Sequence, residues 1–254
     1  MVTLQALFGL VVFIGIAVLF SEQRRMLNWQ LLAAGLGLQF LVAFVMFRFE
    51  LLQALLNALN QVVVAIADAT ETGSLFLFGY LGGDPSNVAY PFSIDNPEAT
   101  VILAFRILPL ILIFTVLSAI LWHFRILPLI VRGFSVVLRR AMGVSGAVGF
   151  SAAANIFIGM VESPALIRPY IKGLTRSELF VVMSCGMATI AGTVMVLYSV
   201  ILGEVIDNAL GHILTASVIS APAAIMLALI MVPAAPKDSA KIAGGDAVDI
   251  STDY

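Results

Sequence analysis

Long runs of apolar residues, nearly free of charge, decide what this chain can fold into. Val2 to Phe20, Trp29 to Phe47, Val101 to Phe124, Leu179 to Leu202 and Ile213 to Val232 each suffice to cross a bilayer, because about 20 helical residues span about 30 Å of hydrocarbon. Of 254 residues, 61% are hydrophobic and only 11% charged, and mean hydropathy is +1.08. That is more apolar surface than a soluble core of this length can hide. The expected fold is an all-α integral membrane protein whose solvent is lipid. No basic n-region or small-residue cleavage site precedes Ser21, so the first segment is expected to remain as a span.

Charge placement orients the spans. Arg24 and Arg25 close the first segment and should face the cytoplasm. From Glu50 to Phe105 there is no lysine or arginine, whereas Asp68, Glu71, Asp84, Asp95 and Glu98 are present, which marks a non-cytoplasmic stretch. Within it, Leu51 to Ala67 interleaves apolar residues with Gln53, Asn57, Asn60 and Gln61, as in a helix at or near the interface. Residues 79–98 gather Gly, Pro, Asn and Asp and predict an external loop. Arg106, near the outer end of the third span, can snorkel to the interface. Arg132, Arg139 and Arg140 punctuate an amphipathic segment, Arg125 to Arg140, expected on the cytoplasmic surface.

Two segments break the pattern. Gly143 to Pro169, GVSGAVGFSAAANIFIGMVESPALIRP, is dominated by small residues and breakers and is too short for two spans, although basic residues flank it on one side. That geometry predicts a re-entrant hairpin. Leu179 to Leu202 can cross, yet its middle reads CGMATIAGTV, so a broken transmembrane helix is expected there. Non-helical backbone at membrane depth is tolerated only under protein cover or beside a watery cavity, and transporters build sites this way.

Several function classes fall away. The net charge of −2, without a basic tract, gives no field for nucleic acid. One cysteine, Cys185, forms no internal disulfide, and His123 and His212 lack metal-ligand spacing. Ser163 adjoins Glu162, but no histidine or lysine is placed to activate it, so an enzyme is not expected.

Glu162 is the acidic residue deepest in the apolar region, where a carboxylate costs several kcal/mol. It either caps the second half of the hairpin through free N–H groups or also accepts hydrogen bonds from substrate hydroxyls. Asn155 either bonds between helices or offers its amide oxygen to an ion. Thr189 either bonds back to its own helix or joins carbonyls freed by the break around a small hard cation.

NWQLLAAGLGLQF, SAAANIFIGMVESPALIRPYI, ATIAGTVM and TASVISAPAA, in that order and spacing, resemble the concentrative nucleoside transporters across Trp29 to Val232. The resemblance implies the N-terminal portion of an inverted-repeat transporter, with residues 1–124 in a scaffold part, 125–233 in the first half of a transport domain and 234–254 as a polar tail. It implies a multi-pass protein of the cell inner (plasma) membrane and a homotrimer when full length. Uptake of nucleosides would be coupled to sodium, or to protons, by an elevator-like mechanism with no other cofactor. Asn155, the Ile158 carbonyl, Thr189 and the Ile190 carbonyl match the family's sodium site, Glu162 its substrate carboxylate, and Val194 its nucleobase pocket.

Two departures stand out. The family hairpin usually reads Gly-Gln-Ser/Thr-Glu, and here Gly159-Met160-Val161-Glu162 puts Met160 and Val161 where polar side chains read the base. Family members also continue with a second hairpin and a second broken span, so this chain is expected to be a fragment or truncated product. The alternatives are a non-transporting assembly or gate-domain protein, or an ion-only carrier served by Asn155 and Thr189.

Overall fold

The computed structural model describes residues 2–24, 28–83, 88, 91–93, 102–160, 162–203 and 205–234. Among them there is no strand. The helices are α1 (Val2–Leu19), α2 (Trp29–Arg48), α3 (Glu50–Phe78, then a 3-10 turn over Gly79–Leu81), α4 (Leu103–His123) and α5 (Ile126–Met142). They continue as α6 (Gly146–Asn155), α7 (Glu162–Leu166), α8 (Arg168–Ile171), α9 (Arg176–Ala188), α10 (Gly192–Leu202) and α11 (Ala209–Met231). Among the described residues, five stretches are long and apolar enough to cross a membrane: α2, Glu50–Leu81, α4, Arg176–Leu202 and α11. α1, with 18 residues, reaches about 27 Å at 1.5 Å per residue, close to the minimum. The expected all-α membrane architecture, with hairpin and broken span, is what forms.

These helices make two compact units. The first combines α1, α2, α5 from Pro128, α6 to α9 and the C-terminal part of α11. At its centre lies α6, all ten of whose residues are buried. A helix of Gly, Ala and Ser lets its neighbours approach closely; a Cβ on Gly149 would sit 3.3 Å from the Ser135 carbonyl of α5. α6 packs on α9 and α7. α2 meets α11 at Gly35, where an added Cβ would lie 2.8 Å from the Met226 side chain. The end of α1 is clasped by its partners. Glu22 donates its backbone N–H to the Met231 carbonyl at 3.0 Å and pairs through its carboxylate with Arg176 at 2.6 Å. Ser177 donates to the Val232 carbonyl at 2.6 Å, and Thr175 with Glu178 forms a capping box that starts α9.

The second unit combines α3, α4, α10 and the first turns of α11. α3 and α10 both pack on α4, and Phe78 and Phe105 stack with ring centroids 4.8 Å apart. α3 runs further than the amphipathic stretch ending at Ala67. Thr70 and Thr72 bond back to the Ile66 and Asp68 carbonyls at 2.6 and 2.9 Å, so their hydroxyls do not interrupt it. Gly79, at φ 60°, stops it. With a hydropathy of 1.4 against 2.0 to 2.4 for the other candidate spans, it is the least lipid-like of them. Most of the expected external loop and nearly all of the polar tail lie outside the described residues.

The Gly35 contact makes a stability prediction. Gly35→Val should lose about 1–3 kcal/mol by overpacking, read as a lower unfolding midpoint in detergent, and Met226→Ala in the same chain should restore part of the loss.

Candidate functional site

The hairpin is built from two short limbs. α6 ends at Asn155, the chain turns through Gly159 at φ 129°, and Glu162 opens α7. Pro164 sits in the first turn of α7, where its missing N–H removes no intrahelical bond. The limbs are stitched by hydroxyls: Ser163 donates to the Ser151 carbonyl at 2.6 Å, and the two Oγ atoms lie 2.9 Å apart. Both serines are essentially buried. Neither was singled out as a structural tie from the sequence, although buried hydroxyls in an apolar segment must find partners.

Opposite the hairpin turn, α9 stops. Thr189 takes an extended conformation, φ −110° and ψ 160°, and helix resumes only at Gly192. Thr189, Ile190 and Ala191 are therefore non-helical inside the apolar run Arg176–Leu202. The Thr189 N–H still reaches the Cys185 carbonyl at 3.3 Å, and the Ile190 N–H turns to Ser217 Oγ of α11 at 3.4 Å.

Asn155 joins the two breaks. It is 2% exposed. Its Nδ2 donates to the Cys185 carbonyl at 2.7 Å and to Thr189 Oγ1, and Thr189 Oγ1 lies 3.1 Å from the same carbonyl. Asn155 Oδ1, by contrast, is buried and has no hydrogen-bond partner among the described residues. Leaving such an acceptor unpaired costs about 1–3 kcal/mol. An amide oxygen, a hydroxyl and carbonyls of a turn and a break are hard oxygen donors that suit sodium rather than a transition metal. The residues fit the expected cation. Ile158 lies in the hairpin turn and Ile190 in the break, so their carbonyls are outside regular helix. No group of three His, Cys, Asp or Glu residues gathers among the described residues.

Glu162 is exposed, and among the described residues its carboxylate accepts no hydrogen bond from the start of α7. Capping alone therefore does not explain it. Met160 is 61% exposed and leans on α9 at Gly186, where an added Cβ would lie 3.3 Å from Met160 Cβ. Val161 lies outside the described residues. Val194 stands in the first turn of α10, in the second unit, and is partly exposed.

A hairpin seated against an interrupted apolar span is a construction that secondary transporters use. A family profile described as the Na+ dependent nucleoside transporter N-terminus matches residues 8–81, and one described as nucleoside recognition matches residues 104–205. An uncharacterised transporter of Haemophilus influenzae is 36% identical over 92% of the chain, and nucleoside permease NupC of Helicobacter pylori 29% over 91%. Human solute carrier family 28 member 3 is 31% identical over 90%. The solved structure of CNTnw in an inward-facing substrate-bound state superposes over 98% of the chain with a TM-score of 0.78 at 31% identity. The chain belongs to the concentrative nucleoside transporter family. It spans about half the length of its bacterial relatives, 52% of each of the two proteins named, and 59% of CNTnw.

The serine stitch should be measurable. Ser163→Ala removes a buried donor and strands the Ser151 hydroxyl, with a cost of about 1–3 kcal/mol. Thermal unfolding in detergent reads the total, and amide exchange should quicken in α6 and α7 before other helices.

Proposed function

We propose that this chain supplies the N-terminal part of a sodium-coupled nucleoside transporter, holding one cation site and the carboxylate that engages the nucleoside. The observation that carries the reading is the orphaned Asn155 Oδ1, buried beside Thr189 where the hairpin meets the break. A bound cation would satisfy that oxygen. Asn155 Oδ1, Thr189 Oγ1 and the carbonyls of Ile158 and Ile190 would hold it, and it would neutralise the partial negative charge gathered by these oxygens. Sodium is favoured over a proton because the donor set holds four neutral oxygens and no titratable group.

Glu162 is assigned to the ribose hydroxyls. A carboxylate accepts two donors at once, and such charge-assisted bonds are the stronger kind. Met160 and Val161 would pack on the base where relatives place an amide and a hydroxyl. Losing those polar contacts weakens discrimination between bases, since a site that hydrogen-bonds a substrate edge rejects analogues far more strongly than an apolar wall does.

In the complete transporter, residues 125–233 would belong to a moving transport domain and 1–124 to a scaffold, in a homotrimer that works by an elevator-like movement.

Uptake of radiolabelled uridine into cells or vesicles bearing the full-length coding region tests the reading. Uptake should depend on sodium, fall at least tenfold in Glu162→Gln, and lose its sodium dependence in Asn155→Leu. Competition by a nucleoside panel should show a shallower purine-to-pyrimidine preference than in a relative carrying Gln and Thr at the positions of Met160 and Val161. Uptake indifferent to Glu162 would remove the carboxylate assignment, and uptake indifferent to sodium would redirect the coupling to protons.

A further inference from the structure

The two carbonyls assigned to the cation are each followed by a residue with almost no side chain, and those two residues lie close together. Gly159 follows Ile158, and Ala191 follows Ile190. A Cβ built on Gly159 would lie 3.0 Å from Ala191 Cβ and 2.8 Å from Glu162 Oε2. The first distance is tighter than ordinary van der Waals contact, and the second would make the exposed Glu162 carboxylate shift. Gly159 also adopts φ 129°, which side-chain-bearing residues rarely occupy. Its carbonyl accepts the Ser163 N–H at 3.1 Å, so the same residue anchors the first turn of α7.

We infer that Gly159 is a positioning residue that couples the cation to Glu162 through its contact with Ala191. This rests on the functional reading above and extends it. The Ile158 and Ile190 carbonyls would together hold the cation, which would fix the next residue on each stretch of backbone and so set the approach of Gly159 to Ala191. Glu162 Oε2 occupies the space where a Gly159 side chain would stand, so closing that contact settles the carboxylate as well. Gly159 needs no contact with either ligand. Coupling of this kind is reciprocal: if sodium tightens nucleoside binding, nucleoside tightens sodium binding by the same factor, commonly about 5- to 150-fold.

The test is uridine affinity, measured by calorimetry at low and saturating sodium on the purified full-length transporter and on Gly159→Ala, Glu162→Asp and the double variant. Gly159→Ala should raise the uridine Kd about tenfold or more at saturating sodium and flatten its dependence on sodium. Stabilisation against heat by sodium alone should persist. Glu162→Asp should weaken binding clearly in the native background and much less beside Gly159→Ala, because the shorter side chain withdraws from the added methyl. A merely structural glycine would make these two effects additive.

Native affinity and native sodium dependence in Gly159→Ala would overturn the inference, as would additivity. Should Gly159→Ala not fold, Ala191→Gly carries the test, since it removes the other half of the contact without a clash. It should shrink the sodium effect on uridine affinity at least threefold, and an unchanged sodium effect overturns the coupling. Failure of the underlying nucleoside reading is distinguishable, because it appears in the unsubstituted protein as no uridine binding at any sodium concentration.

Discussion

Lipid offers no hydrogen bonds, so every backbone group that leaves a helix inside the membrane must be answered by the protein itself. The first unit leaves helix at the hairpin turn and again at Thr189 to Ala191, and groups at both interruptions are answered from elsewhere in the chain. Asn155 from the end of α6 caps the broken end of α9 at the Cys185 carbonyl. Ser217 from α11 meets the Ile190 N–H. The Ser151–Ser163 pair closes the hairpin on itself. Among the described residues Asn155 Oδ1, where the two interruptions meet, is left without a partner, as are Gln39 Nε2 and Ser145 Oγ elsewhere in the unit. On the proposed reading, the acceptor at that meeting point is the one a cation would answer.

Much of this was legible in the sequence because membrane solvation is a coarse filter. Runs such as Trp29 to Phe47 declare themselves, and the positions of the α2, α4 and α11 boundaries follow within a few residues. The hairpin and the break were legible too, since Gly159, Pro164 and Gly192 interrupt apolar segments that would otherwise run on. The full length of α3 was not. Periodicity ends near Ala67, yet Thr70 and Thr72 spend their hydroxyls within the helix and carry it to Phe78.

The same limit governs the site. Asn155 and Thr189 were paired from the sequence by motif, but their contact across 34 residues is a matter of tertiary packing. Ser217 and the serine stitch are not legible in the sequence, because isolated serines in small-residue helices look like packing residues. Only their partners reveal the difference. Nor does the sequence tell that Gly159 lies between Glu162 and Ala191, for a glycine in a turn is usually read as a turn and nothing more.

The clasp on the end of α1 has a consequence for how the protein is made. Glu22 depends on Arg176, 154 residues later, and on the Met231 carbonyl at the far end of α11. Helices enter the membrane in order as the ribosome delivers them. The residues just after α1 therefore gain these contacts only once α9 and α11 have been made, so this end of the helix is fixed by partners that follow it by 154 residues or more.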